Sequence, residues 1–431
     1  MAAALPAPIE PGALELGAWL RPGDRVVCAQ AGAEPLTLTR ALVAQRAALG
    51  GVSVFLGATF SDSFAPAHAD HLRFESYGAM GATVPLAQAG CLDVLPVHYS
   101  ELDDAFQSGR WRADVVLLQL APGEGGEPPS LGLGNDYAAA AAMRARVVIA
   151  ELNPQAPWTH GASLPEGLRI DAVVRAQAAP LSIPAARFGQ TEQRIATWVA
   201  ALIPERATVQ TGIGALPDAV LAGLRGHRDL GIHTGLLGEC ALDLIEAGAV
   251  TNAFKSIDAG LTVSNIVCGT PRLHRWAHRN PALRLARGAY THGPRVLAGI
   301  DRFFAINSAL EVDLSGQVNA ESLDGLPRGG VGGANDFARA ARRSPGGRSV
   351  IVLPADAQGG RRSRIVPVLA GGTVTVTRSD VDLVVTEHGV ADLRHCTLAE
   401  RARRLIAIAA PAWREPLARA MVEPASWNRA Q

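Results

Sequence analysis

Lysine is nearly absent from this chain: Lys255 is the only one, and every other basic side chain except histidine is arginine. Schiff-base chemistry therefore has one candidate residue. Aromatic side chains are scarce at 5%, so the core must be built mainly from Ala, Val, Leu and Ile. Neither sign of charge prevails, with 40 basic and 40 acidic residues. No broad field of one sign results, so neither nucleic acid nor an anionic membrane is an expected partner. The five cysteines, Cys28, Cys91, Cys240, Cys268 and Cys396, are odd in number, far apart and without a CxxC. Neither a disulfide framework nor a zinc site fits, no metal is expected, and a reducing compartment is the simple reading. No stretch reaches the roughly 18 apolar residues of a membrane span. The opening MAAALPAPIEPGALELG lacks the charged start and apolar core of a secretion signal. A soluble, cytoplasmic protein is expected.

What is present is material for a large core. Hydrophobic residues make up 48% and charged residues 19% of 431 positions, a length comfortable for two domains. Glycine (45) and proline (28) are spread along the chain, which predicts many turns and no low-complexity tail. Short apolar runs alternate with amphipathic stretches. Arg25–Ala29, Val52–Leu56, Val115–Leu120 and Val147–Glu151 read as strands, with helical spacing over Leu36–Leu49 and Asp136–Arg146. Such alternation predicts parallel sheets covered by helices. The pattern lapses in the Pro- and Ala-rich stretch from Ala178 to Phe188. A domain boundary is expected near residue 185, giving domains of residues 1–185 and 186–431, with a helix over Thr191–Leu202 as a candidate bridge. Further strands are expected at Thr208–Thr211, Ala249–Phe254, Phe303–Asn307, Ser349–Leu353, Gly372–Thr377 and Asp382–Val385.

Two segments carry candidate chemistry. In Gln210-Thr211-Gly212-Ile213-Gly214-Ala215-Leu216-Pro217, a strand enters a glycine loop and a helix follows. A helix N-terminus offers free N–H groups to an anion, and glycines allow close approach. The spacing is not GxGxxG, and a tight strand–helix turn is the competing reading. In Gly329-Gly330-Val331-Gly332-Gly333, four of five residues are glycine, ahead of a helix over Asp336–Arg342. Glycine runs cost conformational entropy and usually mean that a ligand or backbone comes very close. A flexible surface loop is the alternative. Glu311–Asn319 reads as a strand and turn ending in an amide. Glu387-His388 follows a buried strand, and a structural hydrogen-bond role is favoured for that pair.

These segments, in this order, resemble the acetyl-CoA hydrolase/CoA-transferase family, which includes 4-hydroxybutyrate and succinyl-CoA:acetate CoA-transferases. The resemblance starts near Val115 with Ser130-Leu131-Gly132 and runs through Glu151-Leu152-Asn153, Pro157, Thr159 and Gly161. It is strongest at Gly212-Ile213-Gly214, Leu230-Gly231-Ile232-His233-Thr234, Gly316-Gln317-Val318-Asn319, Gly330-Val331-Gly332-Gly333, Ser363-Arg364-Ile365-Val366-Pro367 and Val385–Leu393. It implies an α/β fold: two CoA-transferase-type domains, each a mainly parallel sheet with covering helices, and an active-site cleft between them. By the same resemblance Gly212, Gly214, Gly330, Gly332 and Gly333 lie against CoA. Asn319 hydrogen-bonds near the thioester, and Gly360 lines a small carboxylate pocket. A coenzyme A thioester is then the substrate, with a small-molecule acceptor, no permanently bound cofactor, and a homodimer as the assembly.

One departure matters. Transferases of the family attack the thioester with a glutamate that follows His-Thr/Ser. Here the segment reads His233-Thr234-Gly235, and that position has no side chain. Glu239 lies four residues on, too far to substitute without rearranging the loop, since a misplacement of one ångström can cost about a hundredfold in rate. Cys240 and His233 are secondary candidates, the first expected in the core and the second in a positional role. Three readings follow. Glu239 substitutes; or the chain hydrolyses acyl-CoA or transfers the acyl group directly to an amine, alcohol or carbon acceptor, with no covalent glutamyl intermediate; or it is a catalytically silent CoA-binding subunit. The second is preferred, on the expectation that Gly235 leaves an open space beside the thioester carbonyl.

Overall fold

The computed structural model describes residues 5–212, 214–371 and 373–422. Ile213 of the first glycine loop and Gly372 of an expected strand lie outside the described residues. In the first half the strands are β1 (Arg25–Cys28), β2 (Ser53–Leu56), β3 (Arg73–Ser76), β4 (Leu92–Val94), β5 (Val115–Leu120), β6 (Val147–Leu152) and β7 (Ala172–Arg175). They form a sheet in the order β4-β3-β2-β1-β5-β6-β7, parallel throughout. Helices α1 (Leu36–Gln45), α2 (Thr83–Gln88), α3 (Leu102–Gln107) and α4 (Tyr137–Ala142) lie between the strands in sequence. Successive residues of a strand face opposite ways, and both faces are buried: Val27, Val116 and Val148 enter one apolar cluster, Val26, Val115 and Val147 another. This is why the strands read as continuous apolar runs.

The second half opens with α5 (Gln190–Leu202), β8 (Thr208–Thr211), α6 (Ala215–Gly223), β9 (Gly231–Leu237), α7 (Glu239–Glu246), β10 (Thr262–Val267), α8 (Pro271–Ala277), β11 (Leu283–Leu285), α9 (Gly288–Thr291), α10 (Pro294–Leu297) and β12 (Phe303–Ser308). Short strands follow: β13 (Glu311–Asp313), β14 (Val318–Asn319), β15 (Ser322–Leu323) and β16 (Leu326–Pro327). The chain ends in α11 (Ala334–Arg343), β17 (Arg348–Val352), β18 (Asp356–Ala357), β19 (Arg362–Ser363), β20 (Ile365–Val366), β21 (Leu383–Thr386), β22 (Gly389–Asp392), α12 (Leu398–Ile408) and α13 (Pro411–Val422). The large sheet runs β11-β10-β9-β8-β12-β17-β21-β22 and is parallel except for the β21–β22 hairpin. The remaining strands form a small sheet, β14-β13-β20, and two short hairpins, β15–β16 and β18–β19.

Three expectations change. Ala249–Phe254 is not a strand: Val250 makes a lone bridge to Leu230, and Asn252 takes a left-handed backbone (φ 57°) that ends any extended run. Among the described residues of the expected strand over Gly372–Thr377, Val376 alone forms a bridge, with Val318. The α5 helix packs on α6 and β21, within the second half.

The halves meet through backbone. Asn135 and Val267 donate to Asn265 and Leu133 across the join, at 2.9 and 2.8 Å. Ala79 donates to Gly329 and Tyr99 to Gly332. Glycine is required at two of these points. A Cβ on Gly78 would lie 2.8 Å from the Cα of Gly330, and one on Gly330 would lie 2.7 Å from the carbonyl oxygen of Tyr77.

Candidate active site

The carboxyl ends of β8, β9, β10 and β12 are neighbours, so the residues at their ends converge: Gln210 and Thr211, Gly235 and Leu236, Asn265 and Ile266, and Asn307. Above them lie Tyr77 and Tyr99 of the first half, His292 just after α9, and Gly332, Gly333 and Phe337 of the second glycine loop and α11. Together they enclose a cavity of about 140 Å³. No Asp, Glu, Lys or Arg lines it among the described residues.

A buried network fixes its walls. Gln30 Oε1 accepts from Tyr77 Oη (2.7 Å) and the Ala58 amide (2.9 Å), and its Nε2 donates to Tyr99 Oη (2.8 Å). Tyr99 Oη donates to Asn265 Oδ1 (2.7 Å), whose Nδ2 donates to the carbonyls of Asn135 and Ala286. The Gln30 amide donates to Asp136, a carboxylate that burial pushes up to about 7 and that also caps α4 through the Ala138 amide. Asn307 Nδ2 donates to Gln210 Oε1 at 3.4 Å. Gln210 Nε2 is thereby left without a protein partner among the described residues.

Gly235 lines the cavity, but the direction a side chain would take from it is filled. A Cβ there would meet His292 Nε2 at 2.8 Å and Cε1 at 3.0 Å. One on Gly333 would meet His292 Cδ2 at 2.4 Å. The two glycines make room for an imidazole, which overturns the expectation of an opening beside Gly235. The ring is held between Tyr99 and Phe337, at centroid distances of 4.4 and 4.5 Å. Burial, with His233 nearby, pushes its pKa down to about 3, so the ring is neutral near pH 7. His233 Nε2 donates to the Thr291 carbonyl (2.9 Å), a positional role.

The other expected site residues fall in two groups. Gly212, Gly332 and Gly333 line the cavity; Gly214 caps α6 just behind it, and Gly330 is spent on the contact with Gly78. Asn319, Gly360 and Glu239 stand away from it. Asn319 closes its own turn, donating to Ser322 O (2.7 Å) and accepting from the Glu321 and Ser322 amides. Gly360 is exposed in the β18–β19 turn. Glu239 accepts from the amide and hydroxyl of Thr270 at the start of α8 and pairs with Arg272. Cys240 is buried in α7, its thiol pushed up to about 12 by burial and neighbouring carboxylates. Lys255 is occupied by the carbonyls of Ile232 and Leu261. Glu387 accepts from the Ala355 amide, a structural bond. Sequence reading missed His292, Asn265, Asn307 and the two tyrosines, because nothing local marks them.

Two parallel sheets closed over an uncharged cavity at strand carboxyl ends have the build of an α/β enzyme that takes a small molecule between its halves. The sequence pattern of the acetyl-CoA hydrolase/transferase C-terminal domain matches residues 269–421. The 4-hydroxybutyrate coenzyme A transferase of Clostridium kluyveri is 37% identical over 91% of this chain and 92% of its own. The succinyl-CoA:cyclohexane-1-carboxylate CoA transferase of Geobacter metallireducens is 33% identical over 94% and 93%. The crystal structure of RipA from Yersinia pestis superposes with a TM-score of 0.88 at 28% identity, covering 95% of each chain. The chain belongs to the acetyl-CoA hydrolase/CoA-transferase family and is an enzyme of it.

Proposed function

We propose that the enzyme acts on a small acyl-CoA thioester and consumes it without a covalent glutamyl intermediate. Water or an acceptor attacks the acyl carbon directly: hydrolysis in one case, acyl transfer in the other. One observation carries this. His292, not a carboxylate, occupies the space at Gly235, and no acidic side chain lines the cavity among the described residues. The names of the relatives supply the substrate class, since several are CoA transferases and others, such as that of Saccharomyces cerevisiae, acetyl-CoA hydrolases. The size of the cavity favours a short acyl group. Gln210 Nε2 is a free donor for the thioester oxygen, where negative charge develops on attack. The division near residue 185 and a homodimer belong to the same proposal.

The test is a panel of acetyl- to hexanoyl-CoA, with and without acetate, scored for free thiol and for CoA exchange. Thiol release independent of acetate is expected. Rapid exchange of CoA between acids, with inactivation by borohydride, would overturn the reading. CoA binding without turnover of any donor would leave only a silent binding subunit.

A further inference from the structure

We infer that His292 is the proton acceptor for the attacking group, and that this group is a neutral protic nucleophile: water, an alcohol or an amine. This rests on the reading above and adds to it the residue and the acceptor class.

Thr291 immediately precedes the ring. Its hydroxyl donates to the Arg287 carbonyl four residues back (3.2 Å), the usual bond of a threonine in a helix. The same oxygen lies 2.8 Å from His292 Nδ1, where either atom can donate; with the hydroxyl proton assigned to the Arg287 carbonyl, the oxygen accepts from the ring and Nδ1 carries the hydrogen. The lone pair is then on Nε2. That atom lies beside Gly235 and Gly333 in the cavity wall and has no protein partner among the described residues. His233 pins the backbone behind it through the Thr291 carbonyl. The imidazole thus has a hydrogen-bonded partner at one nitrogen and, at the other, a lone pair that its low pKa leaves unprotonated near pH 7, the geometry of a proton acceptor.

The cavity selects the acceptor. With no cationic side chain on its lining among the described residues, it offers a carboxylate acceptor no ion pair. A neutral O–H or N–H group needs none, and it brings the proton that Nε2 is placed to take.

The step balances. The nucleophile's oxygen or nitrogen bonds to the acyl carbon as its proton moves to Nε2. The tetrahedral intermediate then expels CoA thiolate with cleavage of the C–S bond, and the thiolate recovers the proton as free CoA–SH. Acyl-CoA and H–X give acyl–X and CoA–SH.

The test uses the full chain with butyryl-CoA, following thiol release first in water alone and then with added glycerol or ethanolamine. His292→Ala should lower kcat about 100-fold or more. Free imidazole, entering the vacated space, should restore part of that loss saturably. Thr291→Val should lower kcat with KM little changed, and Thr291→Ser should retain it. The wild type should turn over more slowly in D2O. A His292→Ala enzyme within a few-fold of wild type would overturn the inference while leaving direct attack standing. So would a wild-type rate equal in H2O and D2O, which needs no folded variant. A wild type that exchanges CoA between acids through a borohydride-sensitive adduct would instead sink the underlying reading, and the role of His292 with it.

Discussion

Gly235 and His292 share one space. An imidazole stands where a side chain at 235 would begin, so placing glutamate there alone creates a clash with a ring that is itself wedged between Tyr99 and Phe337. Gly235→Glu should lose roughly 1–3 kcal/mol of stability and gain no CoA-transferase activity. Gly235→Glu combined with His292→Ala should recover stability and show measurable CoA exchange. Thermal unfolding and exchange with labelled acetate check both. A second residue-scale prediction concerns Asp136. Its folded pKa, raised to about 7, lies above its unfolded value near 3.8. The stability it contributes is complete below about pH 4 and is lost as pH rises through about 7, where the folded state must hold a buried charge. Asp136→Asn, of similar shape, should therefore gain on wild type steadily between about pH 4 and 8 in denaturant titrations.

The strands were legible in the sequence because parallel strands buried on both faces are mainly apolar, with the few polar positions, here Gln119 and Glu151, buried and hydrogen-bonded. Val115–Leu120 and Val147–Leu152 show it, each with alternate residues in opposite clusters. Failures came where an apolar run had other work. Ala249–Phe254 bends at Asn252, whose side chain bonds Ile232 and Thr262 across the turn. The glycine loops were legible as close approaches, but not what approaches. Gly212 faces the cavity, whereas Gly330 meets a backbone. Gly360 illustrates the limit of carry-over: expected at a carboxylate pocket, it stands in the exposed β18–β19 turn with φ 87° and nothing within 4 Å of where a Cβ would stand. Gly360→Ala should cost about 1 kcal/mol from its left-handed backbone and leave kcat/KM unchanged. A large fall in kcat/KM would return it to the site.

At the scale of the molecule, the cavity exists only because two sheets close over it, and at Gly78 and Gly330 the closing contact is glycine against backbone. Gly330→Ala places a methyl group 2.7 Å from the Tyr77 carbonyl, an atom that cannot step aside. It should prise the halves apart locally, raising KM for acyl-CoA and lowering the melting temperature together. His292 was illegible in the sequence for the same reason. It follows an unremarkable short helix, and only the fold brings it to glycines 57 residues before it and 41 after. The central claim is that the thioester is attacked directly. Intact-mass measurement of the enzyme during turnover of butyryl-CoA tests it most directly. The account predicts an unmodified protein mass while free CoA accumulates. A species heavier by CoA, mapped to a glutamate such as Glu239, would contradict it.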